Sequence, residues 1–275
     1  MPKHTGKTER IELSMVRDMA EIETDADYIM DFAMALGEQL IICGGELWRA
    51  EEILNTVFHV YEMEDASVMI LPNLLTISAR RAGHKVITRQ RNIGEVSVNL
   101  EKLTRLKQLV HTLCTDREEP EKLMERFWQA ADVPPYSSAI TLLGLLTAIL
   151  SLVYLFQGNW AEAVLVFFCI AGVYGIRVVL GQMRDANHMA VNAVASFFAG
   201  TVALFAGGMS GGRIDPYLVM IVSAFAMLPG IPLINSAREL LYGRVMSGSL
   251  MLLQAFLETV FIVAGFYLSI ALFGR

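Results

Sequence analysis

Long apolar runs fill the second half of the chain, whereas the first half mixes apolar and polar positions. Five runs each hold about 20 residues, the length that carries a helix across roughly 30 Å of hydrocarbon. They span residues 137–156, 161–180, 189–209, 215–235 and 248–273. Lipid offers backbone groups no hydrogen-bond partners, and the runs do not alternate with period two, so helices are favoured over a barrel. The pattern predicts an α-helical membrane domain of five transmembrane helices over residues 137–273.

Residues 25–133 carry the pattern of a water-soluble α+β domain. Apolar residues recur every three or four positions over 25–43 and 46–61, which predicts two helices that face a core. Stretches rich in Val, Ile and Thr predict a small sheet, and two further helices are predicted after it. The strands are expected at 66–71, 74–80 and 85–90, and the later helices at 99–113 and 120–131. The polar lead, residues 1–24, lacks the apolar core of a signal peptide and is expected to be disordered.

Charge separates the same two regions. Residues 1–136 hold 39 charged side chains and residues 137–275 hold 11. If the amino terminus is cytoplasmic, the inward loops carry most of the membrane domain's arginines, which obeys the positive-inside rule. These arginines are Arg177, Arg184, Arg238 and Arg244. The prediction is a multi-pass protein with a cytoplasmic amino terminus and an outward carboxyl terminus. The net charge of −6 and the lack of a clustered basic face argue against nucleic-acid binding.

The sequence contains no pattern typical of a metal site or of an enzyme. Cys43, Cys114 and Cys169 are scattered, and the histidines are far apart, so three or four converging metal ligands are not expected. Phosphate-binding, zinc-protease, nucleophile-elbow and dinucleotide motifs are all missing from the sequence. We therefore expect no catalytic residues, no cofactor and no metal.

Two prolines and a glycine interrupt the fourth apolar run at Pro229, Gly230 and Pro232. Such an interruption frees backbone groups, which lipid tolerates only where protein or water satisfies them. A second half-helix beginning at Pro232 would direct free N–H groups and a positive dipole end at an anion, as in transporters with broken helices. Asn235 and Arg238 would add an amide and a cationic anchor. The alternative is a proline kink that only shapes the helix bundle.

Carboxylates inside or beside the apolar runs are the other candidate residues for binding a substrate or a proton. Glu258 lies ten residues inside the fifth run, where a charged group is costly unless it meets water or a partner. Glu258 or Glu239 is expected to hold a substrate ammonium group or a coupling proton, and a simple interhelical hydrogen bond is the alternative for Glu258. Glu162 and Asn192, near the starts of the second and third runs, are weaker candidates for a water interface.

Three segments resemble motifs of the threonine/serine exporter family. The first runs from Leu36 to Glu52 and has a signature of Gly45, Glu46, Arg49 and Glu51. The second is Leu71-Pro72-Asn73-Leu74-Leu75-Thr76, and the third combines Leu228-Pro229-Gly230 with residues 235–243 and Ser247-Gly248. Together they cover roughly residues 32–270. The resemblance implies a cytosolic amino-terminal domain, a five-helix domain in a bacterial inner membrane, and secondary-active export of threonine and serine.

Several alternatives stay open within this resemblance. The family usually has aspartate at the position of Glu239 and often an acidic residue at that of Arg244. Full members carry a second set of membrane helices, so the chain resembles one subunit of a split system that works with a separate small membrane protein, and an oligomer is expected. Split members are associated with dicarboxylate efflux, which makes a succinate-like substrate the first alternative. A membrane-anchored regulatory or enzymatic module is the alternative of a different class.

Overall fold

The computed structural model of the protein describes residues 25–94, 96–134, 136–181 and 187–274. The predicted lead, residues 1–24, lies outside the described residues. The chain divides into two compact units. The first contains residues up to 135 together with Arg238–Leu250, and the second contains Tyr136–Ala237 and Met251–Arg275.

Four helices and a small sheet form the first unit. Residues 25–42 are helical (α1), and α2 spans Leu47–Val60, α3 Leu100–Thr115 and α4 Pro120–Ala131. Their buried faces carry the expected three-and-four spacing, with Phe32 and Leu36 of α1 and Leu54 and Phe58 of α2 all buried. Phe32 also meets Phe127 of α4 edge to face, with ring centroids 6.4 Å apart. Burial of these apolar faces is what holds the helices together.

The predicted sheet is confirmed as three antiparallel strands. They are β1 Glu64–Leu71, β2 Leu74–Arg80 and β3 Ile87–Asn92, in the order β1-β2-β3. Leu75, Ile77 and Ala79 of the central strand alternate with more exposed residues and are fully buried, as expected for a sheet with one face on a core.

A glycine-based turn sets where α2 begins. Gly44 has a φ of +85°, and its N–H donates to the Ile41 carbonyl at 2.9 Å. The Gly45 N–H donates to the Leu40 carbonyl at 2.9 Å, which completes a Schellman motif. A Cβ on Gly45 would lie 2.5 Å from the Leu40 oxygen. The glycine pair is therefore required by geometry, and it delivers Glu46 directly to the start of α2.

Six helices follow in the rest of the chain. They are α5 Ser138–Leu155, α6 Trp160–Gly181, α7 His188–Met209, α8 Pro216–Phe225, α9 Gly230–Leu241 and α10 Val245–Phe273. Three of them, α6, α7 and α10, are long and apolar enough to cross a membrane, and the bent pair α8 and α9 would make a fourth span. The expected five transmembrane helices are not confirmed, because the described apolar part of α5, Ala139–Leu155, is shorter than the other candidates.

Small residues allow α7 and α10 to approach closely within the second unit. A Cβ on Gly200 of α7 would lie 2.1 Å from the Ser269 Oγ of α10. A Cβ on Gly265 of α10 would lie 2.0 Å from the Ser196 Oγ of α7. Packing through glycine and serine replaces the hydrophobic driving force that lipid cannot supply.

Candidate functional site

The predicted interruption in the fourth apolar run is a break between two helices. α8 ends at Phe225, α9 begins at Gly230, and their axes differ by 55°. The second half-helix thus begins two residues before the expected Pro232. It does so because the Pro229 carbonyl already accepts the Leu233 N–H at 3.1 Å, which is the first bond of α9.

The break offers more hydrogen-bond acceptors than donors. In the first turn of α9, the Gly230 N–H donates to the Leu228 carbonyl at 2.9 Å, and Pro232 has no N–H. Ile231 is the one amide there without a backbone acceptor among the described residues. The carbonyls at 225–227 receive no backbone N–H from any described residue, since Pro229 cannot donate and Gly230 donates elsewhere. The local chemistry therefore suits a positively charged group better than a bare anion.

The other predicted residues near the break divide between the two units. Asn235 is half-buried in the second unit. Arg238 and Glu239, one helical turn further along α9, belong to the first unit. There they meet the residues of the amino-terminal signature.

Glu239 caps the start of α2 from a position 191 residues away. Its side chain is 1% exposed, and its Oε1 accepts the backbone N–H of Trp48 at 2.9 Å. The Glu46 side chain, at the N-cap position of α2, makes no capping bond itself. A carboxylate at a helix start satisfies an unpaired amide and also interacts with the positive end of the helix dipole. Glu239 therefore replaces the local cap that α2 lacks.

Three ion pairs flank this cap. Glu46 pairs with Arg49, at 2.8 Å between Oε2 and Nε, and also with Arg238. Arg244 Nη1 donates to Glu51 Oε2 at 2.6 Å, and both side chains are about 30% exposed. We call the set Glu46, Trp48, Arg49, Glu51, Arg238, Glu239, Tyr242 and Arg244 the α2 cluster. Of the predicted signature residues, Glu46 contacts Arg238 of the third motif, and Glu51 contacts Arg244 just after residues 235–243. Arg49 joins the cluster through Glu46.

The turn between α9 and α10 positions the third motif for these contacts. Gly243 has a φ of +77°, its N–H donates to the Leu240 carbonyl at 3.0 Å, and the Arg244 N–H donates to the Glu239 carbonyl at 2.9 Å. This is a second Schellman motif. A Cβ on Gly248 would lie 2.8 Å from the Leu240 Cγ, so this glycine lets the start of α10 lie close to the end of α9.

A shallow cleft of about 710 Å³ lies beside the α2 cluster. The Trp48 and Tyr242 rings pack against each other there, tilted by 35° and with centroids 4.7 Å apart. The rest of the lining is polar and comes mainly from one face of α2. It comprises Glu51, Glu52, Asn55, Thr56, His59 and Arg244.

Two polar pairs lie on the apolar helices of the second unit. The Arg177 Nε of α6 donates to the Asn192 Oδ1 of α7 at 3.1 Å, and Asn192 is 9% exposed. On α10, the Gln254 Nε2 donates to the Glu258 Oε1 at 3.3 Å.

Both carboxylate oxygens of Glu162 accept hydrogen bonds from backbone N–H groups. Its Oε2 accepts the Asn159 N–H at 2.7 Å, while Asn159 Oδ1 accepts the Glu162 N–H at 3.0 Å, which is a reciprocal capping box at the start of α6. The Glu162 Oε1 accepts the Asp215 N–H at 2.8 Å. The Glu162 side chain is 4% exposed. Its carboxylate therefore links the starts of α6 and α8 and does not face a water interface.

Some of these residues were not expected from the sequence. Trp48 and Tyr242 lie in quoted motifs, but no local pattern pairs side chains nearly 200 residues apart. The sequence did contain a signal for the pairing of Gln254 with Glu258, because Gln254 is a polar residue four positions before Glu258 inside an apolar run. Among the residues that the structure describes, no group of three or more His, Cys, Asp or Glu side chains is placed to hold a metal ion.

Comparison with known proteins identifies relatives along most of the chain. The family model described as "Putative threonine/serine exporter" matches residues 31–273. Pheromone-regulated membrane protein 10 of Zygosaccharomyces rouxii is 25% identical over 247 residues, which cover 88% of this chain and 25% of that protein. The protein of the same name from Yarrowia lipolytica is 22% identical over 292 residues, covering 100% of this chain and 23% of that protein. The chain therefore spans about a quarter of the length of these curated relatives. No solved structure matches it.

The family match covers well over half of the chain and includes both the α2 cluster and the break between α8 and α9. The family is one of membrane exporters and not of enzymes. The chain belongs to the threonine/serine exporter family.

Proposed function

We propose that the chain is a subunit of a secondary-active exporter of small hydrophilic carboxylates, with threonine and serine as the substrates that its family suggests. The transport path runs through the second unit. The observation that carries the proposal is the 55° break between α8 and α9 inside an apolar helix pair. Unwound backbone at membrane depth is stable only where protein or water surrounds it, and transporters use such breaks to bind substrates and ions.

The chemistry of the break suggests what it binds. Three carbonyls without backbone donors favour a positive group, such as a coupling cation or a substrate ammonium. Asn235, about one and a half turns into α9, would add an amide to this path. Pro229, Gly230 and Pro232 act by keeping α8 and α9 from joining into one helix, since the two prolines lack an N–H.

Arg238 and Glu239 have a different role in this proposal. Both are engaged by the start of α2 within the first unit, through Glu46 and the Trp48 amide. We assign them to anchoring the segment Arg238–Leu250, while the substrate charges are met in the second unit.

The proposed topology has five crossings in a bacterial inner membrane, with the amino terminus in the cytoplasm. α5 has 18 residues and is about 27 Å long, close to the thickness of the hydrocarbon core, so we assign it the first crossing. The arginines of the loops support this orientation through the positive-inside rule.

Transport by the reconstituted protein tests the proposal. Vesicles holding the purified chain, with any small membrane protein that co-purifies, are loaded with labelled L-threonine, L-serine or succinate, and efflux is measured with and without a proton gradient. Efflux of the amino acids above that of empty vesicles supports the proposal. Efflux of succinate alone would favour the dicarboxylate alternative. No efflux of any of the three would favour a membrane-anchored module.

A further inference from the structure

We propose that α10 pairs with α10 of a second copy of this chain, along a seam of every third and fourth residue that begins at Gln254. The two copies are related by a two-fold axis along the membrane normal, so the paired helices run parallel. The inference concerns assembly and does not depend on which substrate the chain exports. It rests on a single helix and on which of its side chains are exposed.

The first step concerns a polar side chain on a candidate membrane span. Gln254 is exposed, and it lies six residues, about 9 Å, inside the last apolar run, residues 248–273. Its Nε2 donates to the Glu258 Oε1, one turn away, at 3.3 Å. Among the described residues, its second N–H and its carbonyl oxygen have no partner. Polar groups inside membrane helices are costly in lipid and are normally met by protein or water.

The second step is the pattern of exposed residues on the same side of α10. Steps of three and four residues from Gln254 reach side chains that are all exposed in the single chain. They are Leu257, Phe261, Ala264, Leu268 and Ala271. This is the a and d spacing of a heptad, through which two parallel helices interlock. Alanine at two of the d positions lets the helices approach closely, as small residues do in membrane helix pairs.

The third step separates this seam from the other sides of α10. One side packs within the second unit, where Ala255 and Ile262 are buried and a Cβ on Gly265 would lie 2.0 Å from the Ser196 Oγ of α7. Another side is exposed and entirely apolar, which suits contact with lipid. Its residues include Phe256, Val260 and Val263. The seam is the exposed side that carries a polar group, and it is therefore the side that needs a protein partner.

The fourth step is the choice of partner. In a parallel pair on a two-fold axis, each seam residue faces the same residue of the other copy. A carboxamide is both a donor and an acceptor, so the second N–H of Gln254 in one copy complements the carbonyl oxygen of Gln254 in the other. The seam is self-complementary in its polar group and in its spacing. It therefore fits a second copy of this chain.

Disulfide crosslinking in membranes tests the pairing. Cys43, Cys114 and Cys169 of the full chain are replaced by serine, and single cysteines are placed at seam positions and at off-seam neighbours of nearly equal depth. The matched positions are Leu257 with Phe256, Phe261 with Val260, and Ala264 with Val263. The membranes are oxidised before detergent is added. Each seam cysteine should form a disulfide-linked homodimer several times faster than its off-seam neighbour, because only seam positions face their own counterparts.

A second measurement isolates the role of Gln254. The dissociation constant of the dimer is measured by energy transfer between fluorescently labelled full chains as the vesicles are diluted with lipid. Gln254→Leu removes the hydrogen bond and should raise the dissociation constant about three- to tenfold. Gln254→Asn keeps the carboxamide and should lose less. The control is Thr259→Val, which should bind like the wild type because the Thr259 Oγ1 already donates to the Ala255 carbonyl of its own helix at 2.8 Å.

The outcomes separate the possible occupants of the seam. Off-seam cysteines that crosslink as fast as seam cysteines, or the lack of any homodimer, would overturn the pairing. Seam cysteines that crosslink only to a smaller membrane protein would overturn the second copy as the occupant. A Gln254→Leu protein that dimerises like the wild type would overturn the role of the carboxamide. Each of these results leaves the proposed export function to its own efflux test.

Discussion

The capping of α2 by Glu239 gives the most specific prediction about the first unit. Glu239→Ala removes a buried carboxylate whose Oε1 accepts the Trp48 N–H at 2.9 Å. Loss of a cap costs about 0.5–2 kcal/mol, and loss of a hydrogen bond to a charged group costs about 1.5–3 kcal/mol. We therefore expect the start of α2 to be destabilised by about 2 kcal/mol. Glu239→Gln keeps an acceptor oxygen and should cost about 1 kcal/mol.

Hydrogen exchange measured by mass spectrometry checks this prediction directly. A local change of about 2 kcal/mol corresponds to about a 30-fold faster exchange of the amides at residues 46–52. The expected increase for Glu239→Gln is about fivefold. Glu52→Gln is the control, because Glu52 is an exposed side chain on the same helix. If Glu239→Ala exchanges at the control rate in this peptide, Glu239 does not cap α2.

Two further predictions concern the same unit. The first is a double-mutant cycle with alanine at Arg244 and at Glu51, measured by thermal unfolding in detergent. We expect a coupling free energy of about 1 kcal/mol, because both side chains are only partly exposed. A coupling free energy near zero would mean that this ion pair does not stabilise the unit. For the cysteines, a maleimide reagent at pH 8 should label the exposed Cys114 much faster than Cys43, because burial raises the pKa of the Cys43 thiol and keeps it protonated. Equal labelling rates by mass spectrometry would contradict the buried position of Cys43.

The elements that the sequence predicts well are those with a strong local signal. The spacing of Phe32 and Leu36 and that of Leu54 and Phe58 predict α1 and α2, because one face of each helix must be buried. The break in the fourth apolar run is predicted because proline lacks an N–H wherever it is placed. Which backbone groups stay without a partner at the break was not predictable, since this depends on which carbonyl accepts each remaining amide, and the Gly230 N–H donates to the Leu228 carbonyl.

The contacts of the α2 cluster depend on distant parts of the chain. Arg238 and Glu239 follow the break by only a few residues, so sequence proximity suggested one common site. In the structure, the second Schellman turn and the start of α2 bring them to Glu46 and Trp48. Pairing over 190 residues leaves no periodic or local signal. Arg177 and Asn192 likewise come together only through the packing of α6 and α7, which the apolar pattern does not specify.

The most direct test of the account is whether the break between α8 and α9 borders a water-filled substrate path. With Cys43, Cys114 and Cys169 replaced by serine, single cysteines at Asn235 and at Ile221 are exposed to a charged, membrane-impermeant thiol reagent. Asn235 is half-buried about one and a half turns beyond the break, whereas Ile221 is exposed on α8. We predict that the cysteine at 235 reacts, that L-threonine slows the reaction, and that the cysteine at 221 does not react. An unreactive cysteine at 235, or a reaction that threonine leaves unchanged, would contradict a transport path at the break.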